Sequence, residues 1–243
     1  MTRVLGNKIP YPWMLYEEIE IIEELLRLIR PKHCLEWGAG FSTLYYPKCL
    51  EGGAVWQTVE HDNEWCNQVT AMNKNTNTSI IHVEPNKIPS NDVDEGDGSY
   101  LDMHDYIEFP DSSREYDFIL IDGRARKACL VKAYELLAED GVVVLHDAQR
   151  PYYRESFPLY QSQVMLSGYS YDTGNSEFAR KGHGQAGLWI GSKGLKMENL
   201  INIPRLQRLW SLYGELSKIR IFKRHLLFYA NISETASGRD TIG

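Results

Sequence analysis

Two kinds of position in this chain carry the residue types that chemistry needs. The first is the stretch "LEWGAGFST", where Glu36 precedes Gly38 and Gly40, with Ser42 and Thr43 just beyond. Glycines at the end of a strand leave the backbone bare and let it bend sharply, so a ligand can lie against its amides. A carboxylate beside that turn repels a diphosphate and attracts a ligand carrying positive charge. The second is a pair of acids: Asp122 ends "FILID", and Asp147 ends "VVVLHD" with His146 before it. Carboxylates and an imidazole converging at strand ends are suited to taking a proton, orienting a hydroxyl or holding a cation. A fourth acid, Glu60, closes "VWQTVE" about 20 residues past the glycines, where a carboxylate can chelate both hydroxyls of a ribose.

The hydropathy pattern supplies the elements that must hold these residues. From Met14 to Ile29 the apolar positions Leu15, Ile19, Ile22, Leu25, Leu26 and Ile29 recur at helical spacing, with glutamates on the other face and Pro31 ending the run. Apolar runs at Cys34 to Trp37, Val55 to Val59, Ile80 to Val83, Phe118 to Ile121 and Val142 to Leu145 predict strands. Between them Ser42 to Cys49, Asn63 to Asn73, Tyr100 to Phe109 and Arg126 to Leu137 predict helices. Strands this apolar are covered on both faces, and their alternation with helices predicts an α/β fold: a doubly wound, mostly parallel, Rossmann-like sheet. Tyr169 to Thr173 and Ala186 to Ile190 predict an antiparallel edge pair around a polar loop that holds Gly174, Gly182 and His183. Met197 to Tyr229 reads as a helical appendage with a basic end, so the chain divides into a domain over 1–194 and an extension over 195–243. That extension suits packing on the core with a solvated basic end, a homo-oligomer contact or a substrate lid.

Composition excludes several classes. A chain of 243 residues with 43% hydrophobic and 24% charged residues buries a full core and is not a disordered tail. A net charge of -7 argues against nucleic-acid binding through bulk electrostatics. No apolar run is long enough to cross a bilayer, and Met1 to Tyr11 has no leader-like apolar core, so the expected partners include no membrane and the expected compartment is the cytoplasm. The four cysteines lack CxxC spacing and suggest neither a zinc site nor a disulfide framework. The crowded acids from Asp92 to Asp105 read as a solvent-facing run.

Two cofactor types use a glycine turn after the first strand. A dinucleotide fingerprint would place a third glycine or alanine where Thr43 stands and an apolar residue at the strand end where Glu36 stands. Glu36 instead fits S-adenosylmethionine, which carries ammonium and sulfonium charges, and Glu60 fits its ribose. The chain here resembles the class I S-adenosylmethionine-dependent methyltransferases over roughly Met14 to Ser192, on "LEWGAGFST", Glu60, "YDFILIDG" and "GVVVLHD" in order. The resemblance implies cofactor contacts from Glu36, Gly38, Gly40, Ser42, Thr43 and Glu60. It also implies adenine contacts from the Gly96 to Asp102 region, where Asp97 and Ser99 are the candidates.

A narrower resemblance joins "LIDG" and "GVVVLHD" to the metal-assisted O-methyltransferases of catechols, caffeoyl-coenzyme A and sugars. It implies that Asp122 and Asp147 hold a magnesium or manganese ion that lowers the pKa of an acceptor hydroxyl. The chain departs from that pattern in having Ala148 and Gln149 after the second acid and "RARK" after "IDG". Without a metal, Asp147 or His146 would take the proton directly. Arg124, Arg126 and Arg150 either recognise an anionic acceptor or pair with the acids, and Tyr152, Tyr153 and Tyr160 are candidates for a platform under a sugar or aromatic ring. The leading expectation is therefore an O-methyltransferase of a small-molecule or glycoside acceptor. N-methyl transfer and a non-catalytic interaction module on the same fold are the alternatives, and a nicotinamide-dependent oxidoreductase is disfavoured by Glu36 and Thr43.

Overall fold

The computed structural model describes residues 11–14, 16–87, 97–167 and 187–197. Helix α1 (Tyr16–Ile29) leads into β1 (His33–Trp37), α2 (Phe41–Tyr45), β2 (Val55–Glu60), α3 (Asn63–Met72) and β3 (Thr78–His82). Then follow α4 (His104–Glu108), β4 (Tyr116–Ile121), α5 (Arg126–Leu136), β5 (Leu137–His146), β6 (Ser162–Ser167) and β7 (Gly187–Ser192). Among the described residues the strands form one sheet in the order β3-β2-β1-β4-β5-β7-β6. β1 to β5 run parallel, and β7 lies antiparallel between β5 and β6.

The strand pattern has a simple physical basis. In β1, β4 and β5 the odd residues Leu35, Trp37, Ile119, Ile121, Val143 and Leu145 pack into one core. The even residues Cys34, Phe118, Leu120, Val142 and Val144 pack into a second core against Ile19, Ile22, Leu25 and Leu26 of α1. A period-2 strand buried on both faces reads as a continuous apolar run, which is why these strands were predictable. The order reverses between β1 and β4, and the crevice outside the carboxyl ends of strands at such a reversal is where ligands bind in open α/β sheets.

Several expected elements differ in detail. The helix expected over Ser42 to Cys49 is α2 followed by a 3-10 turn at Tyr46–Cys49, because Pro47 has no amide to continue the α ladder. The helix expected over Tyr100 to Phe109 is only His104–Glu108; ahead of it Ser99 Oγ accepts from the Asp102 amide and holds a turn. The edge strand that pairs with β7 is Ser162–Ser167, an alternating strand in which Val164 and Leu166 join the core. The expected Tyr169 to Thr173 strand, its loop with His183, the acidic run as far as residue 96 and the extension beyond Met197 lie outside the described residues. No described helix is long and apolar enough to cross a membrane.

Candidate functional site

The turn after β1 is built around a buried acid. Glu36 shares the even face with Trp56 and Thr58 of neighbouring β2, and α2 closes over it. Its carboxylate accepts from Ser42 Oγ at 2.5 Å, Thr43 Oγ1 at 2.7 Å, Trp56 Nε1 at 2.8 Å and Thr58 Oγ1 at 2.8 Å. Burial pushes this carboxyl up to about 7 against the pull of those four donors. Glu36 is wholly buried and does not line the crevice, so it organises the turn and is not placed to touch a ligand. Thr43 is also engaged internally, accepting from the Gly40 amide at 2.9 Å, whereas Ser42 reaches the crevice wall.

The two glycines have different causes. Gly38 has φ of 98°, and a Cβ there would stand 2.5 Å from Gly123 Cα, so the fold itself forbids a side chain. Gly40 is extended, with φ of -179°, and a Cβ there would meet only Ser42 Oγ at 3.9 Å. Packing places no demand on Gly40, and its missing side chain leaves the crevice floor open.

Glu60 ends β2 beneath this turn. One oxygen accepts from the Ala39 amide at 2.7 Å, and the other from the amides of His61 at 2.9 Å and Asp62 at 2.8 Å. Those bonds fix the carboxylate against the glycine turn. Asp97 and Ser99 do not reach the crevice. Asp97 is buried, accepting from the Arg126 amide at 3.0 Å and Tyr153 Oη at 3.0 Å, and Ser99 holds the turn before α4. Both serve as local hydrogen-bond anchors.

Beside the glycine turn lies a pocket of about 280 Å³. Its floor is Gly38, Ala39 and Gly40; its far wall is Asp122, Arg126, His146 and Asp147; Trp13, Phe41 and Trp65 rim it. Asp122 stands one residue past β4, and its amide donates to Trp37 O at 2.9 Å, which continues the ladder and locks the position. Asp147 stands one residue past β5 with φ of 56°, and the nearby Ala125 has φ of 48°. Left-handed non-glycine residues are uncommon and concentrate at functional turns, and Asp is among the side chains that tolerate the conformation.

His146 lies under these acids. Its Nδ1 is 2.7 Å from Asp122 Oδ1 and its Nε2 is 3.2 Å from Glu18 Oε2. Both ring nitrogens face carboxylate oxygens, an arrangement that a doubly protonated ring satisfies. Burial works against that charge, but Asp122, Asp147 and Glu18 outweigh it and hold the pKa well above its usual value. With both nitrogens facing carboxylates, His146 is placed to orient Asp122 more than to take a substrate proton. Asp147 remains: burial opposes its charge, yet His146, Arg126 and Arg150 keep it below the usual carboxylate range. Its side chain is 32% exposed, against 8% for His146.

Arg126 binds the two strand ends together. Nε donates to Gly123 O at 2.9 Å, Nη1 to His146 O at 2.6 Å and Nη2 to Asp122 O at 3.2 Å. The same guanidinium faces Asp122 Oδ1 at 3.3 Å and Asp147 Oδ2 at 3.6 Å. Burial opposes its charge and the acids more than restore it, so it stays a cation. This donor set does not fit the divalent ion expected at Asp122 and Asp147, because a buried cation already bridges them. Among the described residues no group of three or more His, Cys, Asp or Glu side chains could hold a metal ion.

The expected tyrosine platform is corrected as well. Tyr153 and Tyr160 are core residues, the latter donating to Leu130 O at 2.7 Å. The aromatic surface comes instead from Trp13, Phe41 and Trp65, whose ring centroids stand 5.6 to 6.4 Å apart. Trp65 is fixed by a 2.7 Å bond from Nε1 to Ala39 O. Glu18 was also missed, although its spacing to Ile22, Leu25 and Ile29 already sets it on the apolar face of α1.

No protein-family model matches the chain, and no curated protein matches it. Solved structures do. A candidate O-methyltransferase from Klebsiella pneumoniae aligns at 15% identity over 77% of this chain and 84% of its own, with a TM-score of 0.53. An O-methyltransferase from Bacillus cereus in complex with SAH aligns at 15% identity over 76% of this chain and 84% of its own, with a TM-score of 0.51. The chain shares the class I methyltransferase fold with them.

Proposed function

We propose that this chain is an S-adenosylmethionine-dependent methyltransferase that acts on a hydroxyl of a small molecule or glycoside, in the cytoplasm. One observation carries the reading: the bare Gly40 backbone and the partly exposed Asp147 carboxylate line the same pocket at the sheet's switch point. The glycine turn, with Glu60 fixed beneath it, suits the amino-acid and ribose portions of the cofactor. The acceptor oxygen attacks the methyl carbon in line, the carbon–sulfur bond breaks with its electron pair going to sulfur, and the hydroxyl proton passes to Asp147. Asp122, fixed by His146 and Arg126, orients the acceptor beside it. Trp13, Phe41 and Trp65 offer ring faces to an aromatic or sugar acceptor and exclude water from the mouth.

Transfer to nitrogen is the second reading, and the low pKa of Asp147 favours it. A weak base serves an amine well, since an amine needs alignment before transfer and loses its proton afterwards. The test is incubation with methyl-labelled cofactor and a panel of phenols, glycosides and amines, followed by mass spectrometry. Label on oxygen supports the first reading and label on amines alone the second. Cofactor binding without transfer to any acceptor would favour an interaction module.

A further inference from the structure

We propose that Arg126 is the resident cation of this site, a positioning residue that holds Asp122 and Asp147 where a divalent ion would otherwise have to bridge them. The donor inventory carries this. A guanidinium has five N–H groups in a fixed planar fork. Three of them donate to the carbonyls of Gly123, His146 and Asp122, and the carboxylates of Asp122 and Asp147 stand in ion-pair range at 3.3 and 3.6 Å. The guanidinium is thus anchored by the backbone and faces both acids, so Arg126 acts on the acceptor through them. Two of the carbonyls lie in the turn after β4 and the third is that of the last residue of β5, and the side chain is 9% exposed. Its place is therefore set by the backbone of both strand ends, not by the carboxylates alone.

The consequence concerns metals. Magnesium or manganese bound by both acids requires oxygen ligands at roughly 2.1 Å. A guanidinium that already contacts both carboxylates stands in the way, and its charge repels a second cation. The charge that a metal would supply is built into the chain. The inference rests on the methyl-transfer reading only for the chemistry that these acids serve. Its test needs neither cofactor nor acceptor, so the two can fail separately.

Manganese is titrated into the full chain and followed by electron paramagnetic resonance. The wild type is expected to show no site tighter than on the order of 1 mM. Arg126→Ala is expected to gain a site at least about tenfold tighter, which disappears when Asp147→Asn is added. A single tight manganese site in the wild type that Asp147→Asn abolishes would overturn the proposal, and so would a folded Arg126→Ala variant with no gain. If Arg126→Ala does not fold, the wild-type titration and its Asp147→Asn control decide the matter alone. Turnover adds a further readout: Arg126→Lys should lower kcat while leaving KM for the cofactor unchanged, and chelator should affect neither protein. Chelator-sensitive wild-type turnover restored by manganese would also overturn it.

Discussion

The turn after β1 and the ends of β4 and β5 each place an acid at the carboxyl edge of the sheet, yet the two regions use it in opposite ways. Glu36 is sealed among four neutral donors, makes no ion pair among the described residues, and is pushed up to about 7 by burial. Asp147 is about one-third exposed, is surrounded by His146, Arg126 and Arg150, and is held below its usual range. The first acid shapes a turn, and the second faces the pocket. An acid at a strand end is therefore assigned its role by what surrounds it, not by its place in a motif.

Exchanging the two acids' fates is the strongest way to break this contrast. Asp147→Asn should cut turnover by about 10²–10⁴-fold, the range of a lost general base, while cofactor binding is kept. Stability should change by about 1 kcal/mol or less, because Asn tolerates the left-handed backbone and the lost ion pairs are partly solvated. Steady-state kinetics and urea melts on one preparation check both halves; normal turnover would remove Asp147 from the chemistry. Glu36→Ala should show the reverse emphasis. The fixed Trp56 Nε1 donor loses its acceptor in a sealed space, and the expected loss is about 2–4 kcal/mol in a urea melt. A variant as stable as the wild type would contradict a structural role for Glu36.

Much of the frame was legible because its physics is local. β1, β4 and β5 are apolar on both faces, so their runs announce themselves, and the strand-end positions of Asp122 and Asp147 follow from where those runs stop. The failures share a different cause. That Arg126 bridges both acids depends on the left-handed turn at Ala125 and on two strands meeting side by side, which no spacing within one segment encodes. Glu36 looked like a ligand contact because sequence gives its place but not the four donors converging on it from α2 and β2. Trp13 and Glu18 come from the segment that begins α1, and only the packing of that helix on the sheet brings Trp13 to the pocket and Glu18 to His146. Glu18 alone left a readable trace, its position on the apolar stripe.

The pH dependence of stability sharpens the same contrast. Glu36 has a raised folded pKa, so between its ordinary 4.5 and about 7 the folded state binds more protons and stability falls as pH rises. His146 is also raised, so its contribution is fully present below its ordinary 6.5 and is lost as pH climbs through the folded value. Thermal melts should show Glu36→Gln flattening the first window and His146→Asn the second. A His146→Asn slope identical to the wild type between 6.5 and the folded value would exclude the imidazolium. Smaller still is the effect of Gly40→Ala, which should alter stability by less than about 0.5 kcal/mol because nothing in the fold opposes a Cβ there. Its cost should fall on the ligand, with cofactor affinity about tenfold weaker. An unchanged affinity would mean that the ligand does not approach this floor.

The most direct test of the account is calorimetric titration of the full chain with S-adenosylmethionine and, separately, with a nicotinamide dinucleotide. The account predicts one site for S-adenosylmethionine, weakened in Gly40→Ala and in Glu60→Ala, and no saturable binding of the dinucleotide. Saturable dinucleotide binding with none of S-adenosylmethionine would contradict it.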